Sequence, residues 1–195
     1  MKRLLALSSS RKPPGRVRQL INEISLILPR SIKIQRGHLS LEELGRKAYT
    51  KSCSHIILVS SRHGNPSLLS GFEIKLKNEE FSINWCFDWI IQNVKLANEL
   101  KIKRLQKRFT GLEFNAINIV SEIETIMNSF FDYSEKKVKS LNIDNRLVLE
   151  YNSPGFLFYP KVNSLNYSPK ISISEIVVQD KSREGNNYDK NNHEY

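Results

Sequence analysis

The sequence predicts an α/β fold, and three observations lead to that prediction. Short apolar runs alternate with amphipathic segments along the first half of the chain, in the order strand, helix, strand, helix, strand. The connections between these strands are long enough to hold a helix, so the strands should be parallel. Three further runs, at 146–151, 155–159 and 170–178, have the composition of strands. We therefore expect a mixed sheet packed with helices.

The first strand, at 4–7, leads into a loop and then a helix with one apolar stripe. The residues of this stripe recur at helical spacing and are Val17, Leu20, Ile21, Ile24 and Leu28. Pro29 should end the helix, because proline lacks the backbone donor that a continuing helix needs. The second strand is then predicted at 32–34.

A capping box marks the start of the second helix. Ser40 stands at the N-cap with Glu43 three residues later, and Leu39 and Leu44 occupy the positions of a hydrophobic staple. The helix should run to about Lys51, and the third strand follows at 56–59.

Two further strands and an aromatic stripe are expected beyond the third strand. The loop 64–66 leads to a half-buried strand at 72–76, and 77–80 is a turn candidate before a strand that begins at Phe81. Four aromatic residues alternate there, as they would on one face of a strand: Phe81, Trp85, Phe87 and Trp89. Such a stripe is more often core than an exposed surface that stacks on bases. Segment 90–96 fits either a strand or the start of a helix.

The second half contains one clear helix and a polar end. A second capping box at 121–124 precedes a helical apolar face formed by Ile123, Ile126, Met127 and Phe130. From residue 180 the composition changes to Asn, Lys, Asp and Glu with little apolar content, so we expect 180–195 to be a disordered tail.

Positive charge is concentrated in two segments of the chain. The 195 residues carry a formal net charge of +10, and residues 1–51 alone hold twelve Lys and Arg against three Glu. Segment 95–108 adds six Lys and Arg against Glu99. Clustered basic residues are typical of nucleic-acid-binding proteins, although a merely basic soluble protein is the alternative.

Few features of the sequence support catalysis, a cofactor or a membrane. The two cysteines form no CxxC pair, the four histidines lack metal-ligand spacing, and neither a P-loop nor an HExxH motif occurs. We therefore expect no metal, no cofactor and no enzymatic activity. The apolar run at 4–7 is too short for a signal peptide, and no run has the length of a transmembrane helix. A cytoplasmic protein without a membrane partner is predicted.

The ends of the three parallel strands carry a repeated basic pattern. Segments 9–11 and 60–62 both read Ser-Ser-Arg, and Arg36-Gly37 follows the strand between them. Carboxyl ends of parallel strands share one edge of the sheet, where ligands of open α/β sheets usually bind. We expect Arg11, Arg36 and Arg62 to face one cationic crevice whose partner is an anion.

The start of the first helix departs from the usual charge preference. Helix amino ends favour acidic residues, but Lys12, Arg16 and Arg18 lie here and no acid occurs before Glu23. A bound phosphate would turn this unfavourable arrangement into a favourable one. The alternative is a solvated basic face that tolerates a small cost.

These residues resemble the signature of Brix-domain proteins. The matching segments are 9–13 with Arg16 and Arg18, then 28–29, 36–37, 40–44 and 62–66. The resemblance is dense over 1–76 and diffuse from there to Val178. Ser9 and Val17 stand where threonine often occurs in the family. The compact length is similar to that of the archaeal members.

The resemblance implies a ribosome-biogenesis factor that binds pre-ribosomal RNA or rRNA and assists rRNA processing and subunit assembly without catalysis. Ribosomal or assembly proteins would be its further partners. The implied fold is a domain at 1–179 with two tandem similar halves, about 1–89 and 90–179. Each half would be a mixed β-sheet packed with helices, like the anticodon-binding domain of class II aminoacyl-tRNA synthetases.

Candidate RNA-binding residues follow from the resemblance by position. They are Arg11, Lys12, Arg16, Arg18, Arg36, Arg62 and Asn65. Lys33 and the basic residues of 103–108 are added on charge alone. Two alternatives stay open: an adaptor that binds proteins within a pre-ribosomal particle, and a small enzyme that acts on RNA.

Overall fold

The computed structural model describes residues 4–28, 30–101, 113–131, 145–152, 155–162 and 165–179. These residues form ten strands and four helices. In chain order they are β1 Leu4–Ser9, α1 Gly15–Ile27, β2 Ser31–Lys33, α2 Leu41–Thr50, β3 Cys53–Arg62, β4 Asn65–Lys77, β5 Glu80–Lys95, α3 Ala97–Leu100, β6 Glu113–Ile117, α4 Ser121–Phe131, β7 Asn145–Asn152, β8 Gly155–Val162, β9 Leu165–Asn166 and β10 Lys170–Val178. The predicted tail at 180–195 and the predicted helix stop at Pro29 lie outside the described residues.

The ten strands form one mixed sheet, which confirms the predicted α/β class. The strand order is β2-β1-β3-β4-β5-β10-β8-β7-β6, and β9 pairs with β8. β1 is parallel to both β2 and β3, as the helical connections predict, and β6 is parallel to β7. The other pairs are antiparallel, and β5 and β10 join the two parts of the sheet.

Helices cover both faces of the sheet and define two cores. The larger core contains the predicted stripe of α1 together with Phe87 and Trp89 of β5 and with Met127 and Phe130 of α4. The smaller core packs α2 against β3 and β4 through residues that include Leu44, Ile56 and Ile74. Full burial of one large apolar side chain contributes about 1.5–3 kcal/mol, so these contacts account for much of the folding free energy.

The aromatic stripe of β5 does not lie on one face, and that part of the prediction is wrong. Gly71 of β4 pairs with Phe87, but its neighbour Phe72 pairs with Trp85, so Cys86 is an extra residue in β5. This β-bulge reverses the alternation of side chains. As a result Phe81 packs against the smaller core, while Phe87 and Trp89, both 0% exposed, belong to the larger one. The preference for core over an exposed stacking surface is confirmed for Phe87 and Trp89.

The loop predicted at 64–66, after the third strand, is the tight turn of a β-hairpin. β3 continues through Arg62, and β4 already begins at Asn65, which pairs with Arg62. His63 and Gly64 have φ angles of 51° and 83°. Two central residues with positive φ make a type I′ turn, whose twist matches that of the flanking strands. Backbone pairing therefore extends farther than the apolar run at 56–59 indicates.

The ambiguous segment 90–96 is mainly strand. β5 runs to Lys95, and Leu96 precedes the single turn α3. In the second half, α4 buries Ile123, Met127 and Phe130 as its periodicity predicts. The three runs predicted as strands form β7, β8 and β10, whereas β6 and β9 were not predicted.

The capping box of α2 is confirmed and leads to a stability prediction. The Glu43 N–H donates to Ser40 Oγ at 3.1 Å, and the Ser40 N–H donates to Glu43 Oε2 at 2.7 Å. Ser40→Ala should lower the free energy of unfolding by about 1 kcal/mol, because one amide at the start of the helix loses its acceptor. Urea unfolding measures the loss. Ser82→Ala, a change at an exposed serine of β5 that caps no helix, is the control and should cause no comparable loss.

The same substitution at Ser40 should also change the pKa of the Glu43 carboxyl. Hydrogen bonds from the Ser40 backbone and side chain lower the pKa of the Glu43 carboxyl. Since the folded pKa is the lower one, ionised Glu43 stabilises the fold above its unfolded pKa, and this contribution is lost as pH falls through the folded pKa. Ser40→Ala should move the pKa of Glu43 up towards its ordinary value, as an NMR titration would measure. An unchanged pKa together with unchanged stability would contradict the capping role.

Candidate nucleic-acid interface

A cleft of about 500 Å³ lies between the first turns of α1 and the carboxyl ends of β1 and β2. Four cations are among its lining residues: Lys12, Arg18, Lys33 and Arg36. These cations come from different segments of the chain: Lys12 follows β1, Arg18 lies on α1 and Lys33 ends β2. Arg36 stands in the loop after β2. The parallel pairing of β1 with β2 brings these segments to one edge of the sheet.

Backbone geometry fixes the walls of this cleft. The Ile34 N–H donates to the Leu7 carbonyl at 2.9 Å, and Ser8 Oγ donates to the Ile34 carbonyl at 2.7 Å, so the segment after β2 is held against β1. Lys12 has a φ of 49°, in the left-handed region. This conformation costs a non-glycine residue about 1 kcal/mol or more, and such residues occur often at functional sites.

The cations of the cleft are only weakly compensated within the protein. Among the described residues, Lys12, Arg18 and Arg36 have no carboxylate within ion-pair distance. Lys33 Nζ donates to Asn22 Oδ1 at 2.8 Å, and Arg36 Nε donates to the Leu39 carbonyl at 3.0 Å. These acceptors orient the two side chains but leave their charges unpaired. The cleft therefore attracts anions.

Arg11 lies close enough to Arg36 to affect its titration. Burial and then the charge of Arg11 lower the pKa of the Arg36 guanidinium below its ordinary value. The Arg11 charge also contributes to the lowered pKa of Glu43. Arg11 thus lies near Arg36 and the start of α2, but of the three arginines expected to face one crevice only Arg36 is among the residues that line the cleft.

Arg16 lies apart from the other cations of the α1 amino end. Its Nη1 forms an ion pair with Glu99 Oε1 at 2.8 Å, and its Nη2 donates to the Val94 carbonyl at 2.6 Å. These contacts join α1 to the end of β5 and to α3. Glu99 is the compensating acid for the start of α1, and it is 83 residues away in the sequence.

Arg62 and Asn65 lie at the tip of the β3–β4 hairpin, where both are exposed. Val59 of β3 pairs with Ser9 of β1, so Arg62 extends three residues beyond the end of β1 on the same edge of the sheet. Neither Arg62 nor Asn65 lines the cleft. The basic residues of 103–108 are outside the described residues.

Polar residues of the cleft were missed by the sequence analysis. Asn22, Gln35 and His38 line it together with the cations. One signal could have indicated Asn22, since it lies four residues after Arg18 and thus on the same side of α1. Gln35 and His38 flank Arg36-Gly37, but nothing in their local pattern distinguishes them from ordinary loop residues.

Other chemistries have little support in the described part of the chain. No group of three or more His, Cys, Asp or Glu residues there could hold a metal ion. Burial raises the pKa of the Cys53 thiol to about 11, so this buried cysteine is protonated at neutral pH and is a poor nucleophile. None of the described helices has the length and apolar character needed to cross a membrane.

Comparison with known proteins gives consistent matches. A protein of Saccharolobus solfataricus is 30% identical over 135 residues, which cover 64% of this chain and 79% of that protein. A protein of Aeropyrum pernix is 29% identical over 93 residues, so this chain spans about half (50%) of its length. Both are described as probable Brix domain-containing ribosomal biogenesis proteins. No protein-family model matches the chain.

A solved structure shares the fold. The crystal structure of a probable ribosomal biogenesis protein from Aeropyrum pernix superposes with a TM-score of 0.71 at 21% identity. The superposition covers 88% of this chain and 95% of that one. The mixed sheet packed with helices is therefore an arrangement already known in solved structures.

Proposed function

The chain belongs to the family of Brix domain-containing ribosomal biogenesis proteins, and from this membership we propose that it is a ribosome-biogenesis factor. It binds pre-ribosomal RNA or rRNA through the cationic cleft and assists rRNA processing and subunit assembly without catalysis. The observation that supports this proposal best is the cluster of weakly compensated cations at the sheet edge. RNA phosphates are the ligands that such a cluster fits, because Arg and Lys form strong charge-assisted hydrogen bonds with them.

The candidate residues would contribute to different degrees. Arg36 is held by the Leu39 carbonyl and keeps its terminal amines for a phosphate, and Lys12 and Arg18 stand on the same cleft. Arg62 and Asn65 would make a second contact at the hairpin tip, farther along the same edge. Arg16 is already paired with Glu99, so we expect its contribution to RNA affinity to be the smallest.

We also propose the domain organisation that the family resemblance implies, with two tandem similar halves in a domain at 1–179. A parallel pair with helix in its connection, followed by antiparallel strands, occurs twice along the chain: first β1 and β3, with α1, β2 and α2 between them, then β6 and β7, with α4 in the described part of their connection. This recurrence supports the proposal and its likeness to the anticodon-binding domain of class II aminoacyl-tRNA synthetases. The proposed boundary at 89/90 falls inside β5. A cytoplasmic location accompanies this role.

The adaptor alternative depends on exposed aromatic anchors at 81–89 or 156–159, because interface cores need such residues. Phe87 and Trp89 are 0% exposed and Phe158 is 2% exposed. These three side chains stabilise the core, and the other aromatic residues of the two segments are half-buried: Phe81, Trp85, Phe156 and Tyr159. None of the seven is fully exposed, so RNA binding is the better-supported function.

RNA binding over a salt series tests the proposal. We expect the purified, nuclease-treated protein to prefer one region of precursor rRNA over tRNA and a scrambled RNA, and to keep that preference as salt rises. The logarithm of affinity should fall linearly with the logarithm of salt, by about 0.7 per phosphate contacted in a single strand. The proposal would be contradicted if the protein bound every RNA with equal affinity and lost all of this binding at the same moderate salt concentration.

A further inference from the structure

Strand β5 has a neighbour on both sides along only part of its length. Its pairing with β10 covers 87–95, and the Gln179 N–H donates to the Cys86 carbonyl at 2.9 Å just beyond. Within the described residues, the segment 80–84 pairs with β4 alone. We call this segment the open edge, because one of its two sides has no strand beside it in the described part of the sheet.

The open edge directs backbone donors and acceptors away from β4. The turn residues 78–79 have φ angles of 50° and 69°, as in a two-residue type I′ hairpin. Glu80 therefore exchanges hydrogen bonds with Lys77 across the turn. Hydrogen-bonded residues alternate along an antiparallel pair, so Phe81 and Ile83 point their N–H and C=O groups outward. Such groups are a template for another strand.

An apolar patch adjoins the open edge on the side of α2. Phe81 and Ile83 are half-buried, and a β-carbon on Gly45 of α2 would overlap with Ile83. Leu76, which pairs with Phe81, is 48% exposed, and Tyr49 of α2 is 40% exposed. The rings of Tyr49 and Phe81 meet edge-on at 6.2 Å. Four side chains thus form the apolar patch, and a strand added at the open edge would cover more of it.

The sequence protects another margin of the sheet but not this one. Proteins block exposed sheet edges with short strands, lysine, proline or bulges. β2, at one end of the strand order, has three residues, and one of them is Lys33. The open edge has five residues, with no lysine, proline or bulge among them. An edge of this kind beside apolar side chains is expected to be covered by a strand.

The pattern of the open edge is complementary to itself. If 80–84 of two copies run antiparallel, Ser82 of each copy lies at the two-fold axis and Phe81 of each pairs with Ile83 of the other. Both residues direct backbone groups outward, so about four hydrogen bonds form between the copies. Side chains of odd-numbered residues then meet on the α2 side, and those of Glu80, Ser82 and Asn84 meet on the other face. Apolar groups contact apolar groups without any change of register.

Charge does not prevent two copies from meeting at this place. The hairpin 73–84 contains three Glu and two Lys, although the whole chain has a formal net charge of +10. Its turn lies at the end of β4 opposite the basic tip at Arg62, roughly 40 Å away for a strand of this length. Screening acts over about 10 Å at 0.1 M salt, so repulsion between the basic regions is weak here.

The continuation of the chain after β10 is a poorer match for the open edge. Residues 180–185 follow β10 in the sequence and read Asp-Lys-Ser-Arg-Glu-Gly. A strand of this sequence has no apolar side chain to place on the apolar patch. A second copy of the chain supplies Phe81 and Ile83.

We infer that two copies of the chain associate through their open edges and form a two-fold symmetric dimer with a continuous sheet. The inference is independent of the proposed RNA binding, because the surface lies at the opposite end of β4 from the basic hairpin tip. A contact of five residues per copy is small for a stable interface, so we expect a dissociation constant of about 1–100 μM.

Sedimentation velocity of the nuclease-treated full chain tests the inference. The mass should change from monomer to dimer between about 1 and 500 μM protein. Ser82→Lys should raise the dissociation constant at least about fivefold, because like charges then lie directly opposite each other at the axis. Asn93→Lys adds the same charge at an exposed residue of β5 that already pairs with β10, and should change the constant less than about twofold.

A mixture of two variants shows whether the copies meet at Ser82. Ser82→Glu should also self-associate weakly, for the same reason as Ser82→Lys. An equimolar mixture of the two should dimerise at least about fivefold more tightly than either alone, because Lys then lies opposite Glu. No partner other than a second copy would give this rescue.

Three results would overturn the inference. The first is a chain that stays monomeric at the highest concentration. The second is a dimer whose dissociation constant is the same in Ser82→Lys, or a mixture no tighter than its components. The third is strong protection of the Phe81 and Ile83 amides from hydrogen exchange in dilute monomer, because another segment of the same chain would then occupy the open edge.

Discussion

Replacement of the four cleft cations by glutamine should weaken RNA binding several hundredfold at about 0.1 M salt. The positions are Lys12, Arg18, Lys33 and Arg36. Each contact with a phosphate of single-stranded RNA contributes about 0.7 to the slope of log affinity against log salt. Four contacts therefore make the affinity at 0.1 M salt roughly 2.8 decades higher than at 1 M salt. The slope of log affinity against log salt should become less steep by about 2.8. Fluorescence anisotropy with a rRNA fragment over a salt series measures both quantities.

A second variant controls for overall charge. In this variant glutamine replaces four exposed lysines outside the cleft, so the chain loses the same number of charges. The positions are Lys47, Lys51, Lys77 and Lys101. We expect this variant to lose less than about fivefold in affinity, because screening over about 10 Å at 0.1 M salt weakens the effect of distant charges. Equal losses in the two variants would mean that binding depends on net charge and not on the cleft.

The cleft variant should remain folded. The charge of Arg11 already disfavours the ionised form of Arg36, so removal of neighbouring like charges relieves repulsion. Against this, the substitution removes the hydrogen bond from Arg36 Nε to Leu39. The two effects on stability oppose each other. Thermal unfolding of both quadruple variants shows whether they are folded, so that a loss of RNA affinity is not a result of unfolding.

Glu23→Ala should lower the free energy of unfolding by about 3 kcal/mol. Glu23 is 4% exposed, and both its carboxylate oxygens lie 3.2 Å from the Ala97 amide nitrogen. Its Oε1 also accepts from Gln19 Nε2 at 3.1 Å. The substitution leaves a buried amide without its acceptor, which costs about 1–3 kcal/mol, and removes a charge-assisted hydrogen bond worth a similar amount. For a chain of this length the melting temperature should fall by about 6–12 °C.

Two further variants separate this effect from a general effect of losing a carboxylate. Glu42→Ala removes an exposed helical carboxylate whose ion pair with Arg46 is at 2.9 Å, and should cost less than about 0.5 kcal/mol. Glu23→Gln keeps one acceptor oxygen for the Ala97 amide and should lose less stability than Glu23→Ala. If Glu23→Ala and Glu42→Ala are equally stable, Glu23 does not hold α3 against α1.

Local patterns predicted those elements whose signals lie within a few residues. The capping box at Ser40 and the stripe of α1 are examples, because a helix places residues three and four apart on one side. The bulge at Cys86 had no such signal, since it appears only in how β5 pairs with β4. For the same reason the pattern could not show that Phe81 and Phe87 contribute to different cores.

By itself the sequence determined the parallel arrangement of β1, β2 and β3 and the collection of Arg11, Lys12 and Arg36 at their carboxyl ends. Connection length and strand periodicity are properties of neighbouring residues, and they suffice for that result. Only the tertiary structure decided which cations are unpaired. Glu99 reaches Arg16 from 83 residues away, while Lys12 and Arg18 receive no acid within the described residues. Charge compensation depends on which distant segments pack together, and no local pattern contains that information.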